Sequence, residues 1–433
     1  MKKITTALLV VLLCSASSKA QELLDINKAI EIGLENNYSI RIARNDEKIS
    51  TNNARDLYTT LLPVASASAG FNGSRVNTRL VFNTDSIQNR NWAESHSYNG
   101  NVGLSWTIFD GLRMFATYDK YKEFEKLGET NTQITVLQTV YAIVSTYYTV
   151  VSQQNQTKSL RDALELSRKR VKDETNKYSV GKASKLDVLN STVDLNADTT
   201  NLMRQLQNLQ SSKILLNQLL ARDVTTNFNV TDTIIIDYGL KYETVRQSIL
   251  TNNPQLKAAQ LNKNIASLTY KEIRGDRFPL VKLNTGYNYT KSQSSYGQVL
   301  SNLNNGLNYG ATASINLFNG LIQNKREQNA RTEINTSGLL YEQLKQGLDA
   351  QLSTAYINYQ NSISLVGVEA ANRQVALQNQ DITFEKYKLG SVTQLELRQA
   401  QQNFIIADFR YINAQYDAKT AEIALKLLAG NVR

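Results

Sequence analysis

Four stretches of the chain alternate apolar and polar residues with period two, and most of what lies between them reads as helix. After Pro279, Val281, Leu283, Thr285, Tyr287 and Tyr289 fall on one face and Lys282, Asn284, Gly286, Asn288 and Thr290 on the other, which is a strand pattern. After Pro63 the same parity sets Ala65, Ala67, Ala69 and Phe71 against Ser66, Ser68, Gly70 and Asn72. Two return runs repeat it. Val102, Leu104, Trp106 and Ile108 oppose Asn101, Gly103, Ser105 and Thr107; Tyr309, Ala311, Ala313, Ile315 and Leu317 oppose Asn308, Gly310, Thr312, Ser314 and Asn316. Each run is about 9 to 11 residues, the length of a tilted strand crossing a bilayer. An apolar face suits lipid, and a face of Ser, Asn, Thr and Gly suits a wet lumen. An ordinary antiparallel sheet with one buried face alternates in the same way, but the flanking helices are too long to fold back over four strands. The strand pairs are predicted to join through polar loops of about 25 and 15 residues, with His96 in the first, as at the exposed end of a barrel. Four strands cannot close a barrel, whose smallest examples have about eight, so several chains must pool theirs.

Only three prolines, Pro63, Pro254 and Pro279, punctuate the chain, and Leu112 to about Asn176 and Leu321 to about Glu385 contain none. Roughly 65 residues at ~1.5 Å rise make a rod of about 100 Å. The helices that return from each rod carry an apolar seven-residue series: Val188, Leu195, Leu202, Leu209 and Leu216, then Leu397, Phe404, Tyr411, Ala418 and Leu425. That spacing favours coiled-coil packing. Gly181 and Gly390 stand where a helix needs a left-handed C′ residue. Ser184 to Asp187 and Thr393 to Glu396 read as capping boxes that open the return helices. Capping accounts for these residues, and the same turns end exposed hairpins where a partner is met or a pore is closed.

The chain is duplicated. Asn36-Asn37 and Leu62-Pro63 recur as Asn252-Asn253 and Phe278-Pro279 at an offset of 216. Phe109-Asp110-Gly111-Leu112 recurs as Phe318-Asn319-Gly320-Leu321, and Lys177-Tyr178-Ser179-Val180-Gly181 as Lys386-Tyr387-Lys388-Leu389-Gly390, both at 209. Each copy reads helix, two strands, very long helix, tight turn, helix. We therefore divide the chain into residues 1–20, a signal peptide, and two structural repeats, 21–230 and 231–433.

The leader is read from Lys2 and Lys3, an apolar run from Ala7 to Leu13, and Ser18-Lys19-Ala20 before Gln21, a cleavable export signal. Cys14 is the only cysteine, so the mature chain has neither a disulfide nor a thiolate metal site. Bulky Leu13 before it argues against lipidation. The formal charge of +10 falls to +7 without Lys2, Lys3 and Lys19. What remains is mixed with acids along helices rather than gathered in a basic block, which argues against nucleic-acid binding. One histidine, no metal-ligand cluster and no glycine-rich phosphate loop leave no catalytic apparatus, metal site or cofactor site to propose. A periplasmic coiled-coil adaptor whose short strands form a soluble domain is the alternative from a different class.

In order and spacing, these motifs resemble the TolC-like outer-membrane efflux protein family over essentially the whole mature chain. The resemblance implies a mixed α/β membrane protein: a long periplasmic α-helical coiled-coil barrel, plus four transmembrane strands per chain that form a shared 12-stranded barrel in a homotrimer. It implies an outer-membrane exit duct with a large periplasmic part, served by a periplasmic adaptor and an inner-membrane RND or ABC pump. It further implies that Tyr178, Gly181, Ser184, Tyr387, Gly390 and Thr393 are tip residues that meet the adaptor. Asp187 and Glu396 match an acidic position that faces the pore in some members, where a ring of three carboxylates would attract cations and raise its own pKa. Ala183 and Val392 stand where an arginine assists closure in the family, and Gln399 where a second acid follows, so weaker cation block is expected. Residues from about Arg222 to Leu240 would join the belt around the tunnel.

Overall fold

The computed structural model describes residues 22–231, 233–295 and 299–431. The leader at 1–20, Cys14 included, lies outside them. In chain order the elements are β1 (Glu22–Leu24), α1 (Ile26–Asn36), α2 (Tyr38–Thr60), β2 (Val64–Val81), β3 (Ile87–Phe109), α3 (Arg113–Ser179), α4 (Lys185–Leu219), β4 (Phe228–Val230), α5 (Tyr242–Asn252), α6 (Pro254–Gly275), β5 (Leu280–Ser294), β6 (Ser301–Ser314), α7 (Ile322–Lys388) and α8 (Gln394–Leu428). The duplication holds element by element. The long helices α3 and α7 have 67 residues each and the return helices α4 and α8 have 35 each, so the insertion separating the copies falls in the strands and their connections. The chain forms two compact units, and neither follows a repeat. One comprises the described residues up to 45 together with 130–257 and 343–431, the other 46–129 and 258–342.

The first unit holds the hydrophobic core. The β1–β4 parallel pair and α1 bring Leu24, Ala29, Phe228 and Val230 against Val140, Ile143, Val144, Tyr147, Val150 and Val151 of α3, Leu216 and Leu220 at the end of α4, and Ala414, Ala418 and Ile423 of α8. One window of α3 is long and apolar enough to cross a membrane by length and composition, and 44% of that window is buried within the chain. Ile234 and Ile236 of the inter-repeat segment are buried in the same core. The Asn-Asn motifs explain themselves here. Asn37 Oδ1 accepts from Ser39 N (2.8 Å) and Ile40 N (3.3 Å) while its Nδ2 donates to Leu219 O (2.7 Å). Asn253 does the same with Gln255 N, Leu256 N and Leu428 O. One side chain in each copy thus caps a helix and ties it to the end of a return helix.

The second unit is built on one antiparallel sheet in the order β2-β3-β5-β6. Its register keeps the expected faces together: Ala67, Val102, Tyr287 and Leu307 share a rung, and Ser68, Asn101, Asn288 and Gly306 the next. Three expectations are corrected. The strands run 18, 23, 15 and 14 residues, so most of the residues assigned to loops are paired. Polar segments sustain a ladder when backbone bonds and cross-strand pairs support it, as Ser74–Ser95 (2.8 Å) and Arg75–Glu94 do here. His96 therefore lies in β3, stacked on Phe71 with ring centroids 5.8 Å apart. Second, the register slips between Thr107 and Phe109: Ile108 is the extra residue of a bulge, and Phe109 takes the place opposite Val281. Third, β6 ends at Ser314 opposite Leu280, leaving Ile315 and Leu317 beyond it, because Pro279 has no N–H to extend the ladder.

Strand-to-helix corners follow the second pair of motifs. Gly111 and Leu112 both have positive φ (+76° and +64°), as do Gly320 and Leu321 (+68° and +66°). Asp110 Oδ1 then accepts from Met114 N (3.1 Å), and Asn319 Oδ1 from Gln323 N (3.3 Å), capping α3 and α7.

Candidate gate at the tips of the helical hairpins

Each long helix ends in the same way. Gly181 (φ +72°) donates to Tyr178 O at 3.0 Å and Lys182 N to Lys177 O at 2.7 Å; Gly390 (φ +75°) donates to Tyr387 O at 3.0 Å and Ser391 N to Lys386 O at 2.9 Å. These paired bonds satisfy carbonyls that the helix end leaves open. The return helices open on complete capping boxes. Asp187 Oδ2 accepts from Ser184 N (2.9 Å) and Oγ (2.7 Å), and Glu396 Oε2 from Thr393 N (2.7 Å) and Oγ1 (2.9 Å).

The two tips differ in how their tyrosines sit. Tyr178 is 45% exposed, with the Lys185 ammonium 5.5 Å from its ring centroid. Tyr387 is only 5% exposed: its hydroxyl bonds Glu174 of α3, and Lys177 Nζ lies 3.9 Å from its ring centroid while pairing with Glu174 at 3.0 Å. Tyr387 thus spends its surface on the other hairpin of the same chain, whereas Tyr178, Val180, Leu186, Leu389 and Leu395 offer exposed area.

Farther along the same helices, buried charges join the hairpins. Arg398 of α8 donates through Nη1 and Nη2 to Asp198 of α4 (2.8 and 2.9 Å), and Ser167 of α3 donates to the same carboxylate (2.5 Å). Arg170 donates to Asp194 at 2.6 Å, and Arg398 Nε lies 3.5 Å from that aspartate. Gln401 closes the cluster onto Ala163 O and Ser167 Oγ. Burial pushes the Arg170 guanidinium below its ordinary pKa, against the opposing pull of Asp194. Two arginines and two aspartates balance, which is how buried charge is tolerated.

Residues 29–222 and 245–431 match the family described as outer membrane efflux protein. The chain belongs to that family. Among solved structures, the CmeC outer membrane channel of Campylobacter jejuni superposes with a TM-score of 0.80 at 16% identity, covering 94% of this chain and 86% of that one. The open state of the MtrE outer membrane channel of Neisseria gonorrhoeae gives 0.73 at 15%, covering 94% and 89%. At these identities the likeness is one of fold. Outer membrane protein TolC of Escherichia coli (strain K12) is 22% identical over 193 residues, 43% of this chain and 37% of that relative's length.

Within this efflux-family chain, capping hydrogen bonds shift the expected pore carboxylates downward. Ser184 hydrogen bonds hold Asp187 below its ordinary pKa, and the Thr393 backbone and side chain do the same for Glu396. Capping, a local effect, acts in the single chain, whereas the repulsion argument concerns three copies. A carboxylate depressed on folding stabilises the fold fully above its unfolded pKa, and the benefit is lost as pH falls through the lower folded value. Amides of the first turns of α4 and α8 are therefore expected to keep their exchange protection near neutrality and lose it below about pH 4. Hydrogen exchange across an acid series checks this, and protection that persists unchanged at low pH would deny the boxes this role.

Glu174, Arg170, Asp194, Asp198 and Arg398 escaped the sequence reading, and Lys177 entered it only as part of the repeated tip motif. One signal was available: Ser191, Asp198 and Gln205 recur every seven residues, three positions after Val188, Leu195 and Leu202. All three polar residues are buried. Their spacing marks a polar seam beside the apolar one.

Proposed function

We propose that this chain is the passive exit duct of a tripartite efflux or type I secretion system in the outer membrane. In this reading three copies pool their strands into a 12-stranded barrel, and their helices form a periplasmic tunnel whose tips meet an adaptor that is joined to an inner-membrane RND or ABC pump. Family membership sets aside the periplasmic adaptor and leaves no role for catalysis.

The observation that carries the reading is a sheet whose apolar face stays exposed and whose edge strands β2 and β6 have no further strand partner among the described residues. Val102 is 62% exposed and Tyr309 84%, yet the Val102 rung is apolar in every strand and the Tyr309 rung in all but one, at Thr285; a soluble antiparallel sheet buries such a face. From Phe109 to the Phe71–Tyr98–Leu303 rung is about ten residue steps, or ~33 Å of strand. Tilted by ~45°, it spans roughly the 25 Å apolar band of a membrane barrel. Apart from Lys282, paired between Thr107 and Thr312, the opposite face is neutral: Ser66, Gly103, Gly286 and Asn308, then Ser68, Asn101, Asn288 and Gly306, then Gly70, Asn99, Thr290 and Asn304. Such a lumen admits polar cargo without selecting it, so choice falls to the pump. Edge strands β2 and β6 are where neighbouring copies would pair.

The test is extraction of the tagged protein from outer membranes, followed by cross-linking and mass spectrometry. A detergent-dependent trimer that carries an adaptor and a pump is expected; a soluble species without them would overturn the duct.

At the tip, the Tyr387–Glu174 bond holds the two hairpins together, and the duct opens by releasing it. Replacing Tyr387 by phenylalanine removes a hydrogen bond to a charged group, worth about 1.5 to 3 kcal/mol. The open fraction is expected to rise by about tenfold or more, read as higher conductance in planar bilayers; conductance equal to that of the unaltered protein would remove Tyr387 from the gate.

A further inference from the structure

We infer that the outward end of the β2–β3 hairpin is a binding surface for phosphorylated glycolipid of the outer leaflet. This rests on the barrel reading above. The second hairpin stops early: Ser95 is the last β3 residue paired to β5, at Ser294. Glu94 still bonds Ser295; beyond it, β2 and β3 continue to Val81–Ile87 as a ribbon with no third strand among the described residues, a projection of about 20 Å from Arg75. A two-stranded ribbon is at best marginally stable in water by itself, and this one exposes Val76, Val81, Ile87 and Trp92.

Register places the cations. On the apolar face, the last aromatic rung is Phe71–Tyr98–Lys291–Leu303, followed by Gly73–His96–Gln293–Ser301 and then Arg75–Glu94. The register slips between Val76 and Thr78, where β3 carries an extra residue; along β2 itself, Arg79, opposite Asn89, keeps the parity of Arg75. Lys291 therefore lies at the outer aromatic edge of the lipid-facing surface, and Arg75 and Arg79 follow just past it, where headgroups sit. Glu94 neutralises Arg75 in part, while Arg79 and Lys291 have no carboxylate partner among the described residues. From Leu280 to Ser314 the chain carries no acid at all. Val81 and Ile87, which share the face of Arg79, together with unpaired cations at headgroup height fit a lipid with an acyl body and phosphates on its head. The occupant is that lipid rather than free phosphate, because the rungs below the cations are continuous with the lipid-facing band.

The experiment compares the intact trimer with a variant carrying Arg79→Gln and Lys291→Gln. Each is reconstituted in phosphatidylcholine nanodiscs doped with bis-phosphorylated lipid A, or with its dephosphorylated form, and examined by native mass spectrometry. At about 1 kcal/mol for each cation near an anionic surface, retention of bis-phosphorylated lipid A is expected to fall about tenfold or more in the variant. The dephosphorylated form should bind both proteins equally weakly, and inorganic phosphate should not compete. Equal retention by the two proteins, or displacement by inorganic phosphate, would overturn the proposal. If neither protein entered nanodiscs as a trimer, the barrel reading itself would have failed, an outcome distinct from loss of lipid.

Discussion

Replacing Asp198 by leucine is expected to loosen the two helical hairpins from one another while leaving the distant core folded. The Asp198 carboxylate takes both Nη atoms of Arg398 and the Ser167 hydroxyl. Without it, two buried arginines compete for Asp194, which already accepts from Arg170 at 2.6 Å. Removing one member of a buried pair costs about 3 to 5 kcal/mol, because its partner stays buried and uncompensated. The effect should be local, since Val144, Tyr147 and their neighbours form a core that the cluster does not enter. Hydrogen exchange should therefore quicken around Ala163–Arg170 and Leu397–Gln401 and stay slow around Ile143–Val151. A double variant with leucine at both Asp198 and Arg398 should recover much of the loss, since apolar replacement of a whole buried pair is often neutral or better. Unchanged exchange in the single variant would show that the bidentate pair does not hold the hairpins.

The cluster also marks the limit of what the sequence discloses. The lengths of α3 and α7 were legible because proline and glycine are nearly absent between Leu112 and Asn176 and between Leu321 and Glu385. The turns were legible because Gly181 and Gly390 precede capping boxes, which are local chemistry. Strand faces were legible because period two fixes parity. A seven-residue series, in contrast, fixes which face of a helix is buried and not which helix covers it. That is why Arg398 could not be matched to Asp198, 200 positions away. At the offset between copies, the positions of Arg398, Arg170, Glu174 and Asp198 hold Leu189, Asn379, Thr383 and Ala407, so duplication gave no hint either. The same asymmetry separates Tyr387 from Tyr178: one motif occurs twice, but only the first repeat supplies a glutamate at position 174 to receive a hydroxyl. The long strands were under-read because Arg79, Asn89 and their neighbours lack apolar alternation, while their pairing rests on backbone bonds that any side chain permits.

Alanine at Gly111 is expected to damage the sheet-bearing unit far more than alanine at Gly320, although the motif is the same. Both glycines have positive φ, +76° and +68°, and a left-handed conformation costs a non-glycine residue roughly 1 to 2 kcal/mol. At Gly320 a Cβ would meet nothing within 4 Å, so that cost is the whole effect. At Gly111 a Cβ would overlap the Gly275 carbonyl oxygen and lie 2.8 Å from Phe278 Cβ. The oxygen accepts the Phe278 amide at 3.0 Å and so is held where the clash occurs; backbone and not a flexible side chain would have to yield. Overpacking of that kind adds about 1 to 3 kcal/mol or more. The corner where β3 passes into α3 against the end of α6 is thus closed to any side chain, whereas the corresponding corner in the second repeat is open within the chain. Thermal unfolding of the detergent-extracted protein should show a clearly larger fall in Tm for Gly111→Ala than for Gly320→Ala. Equal falls would mean that the close approach of Gly111 to Gly275 does not constrain the fold, and that only the turn conformation is read at both sites.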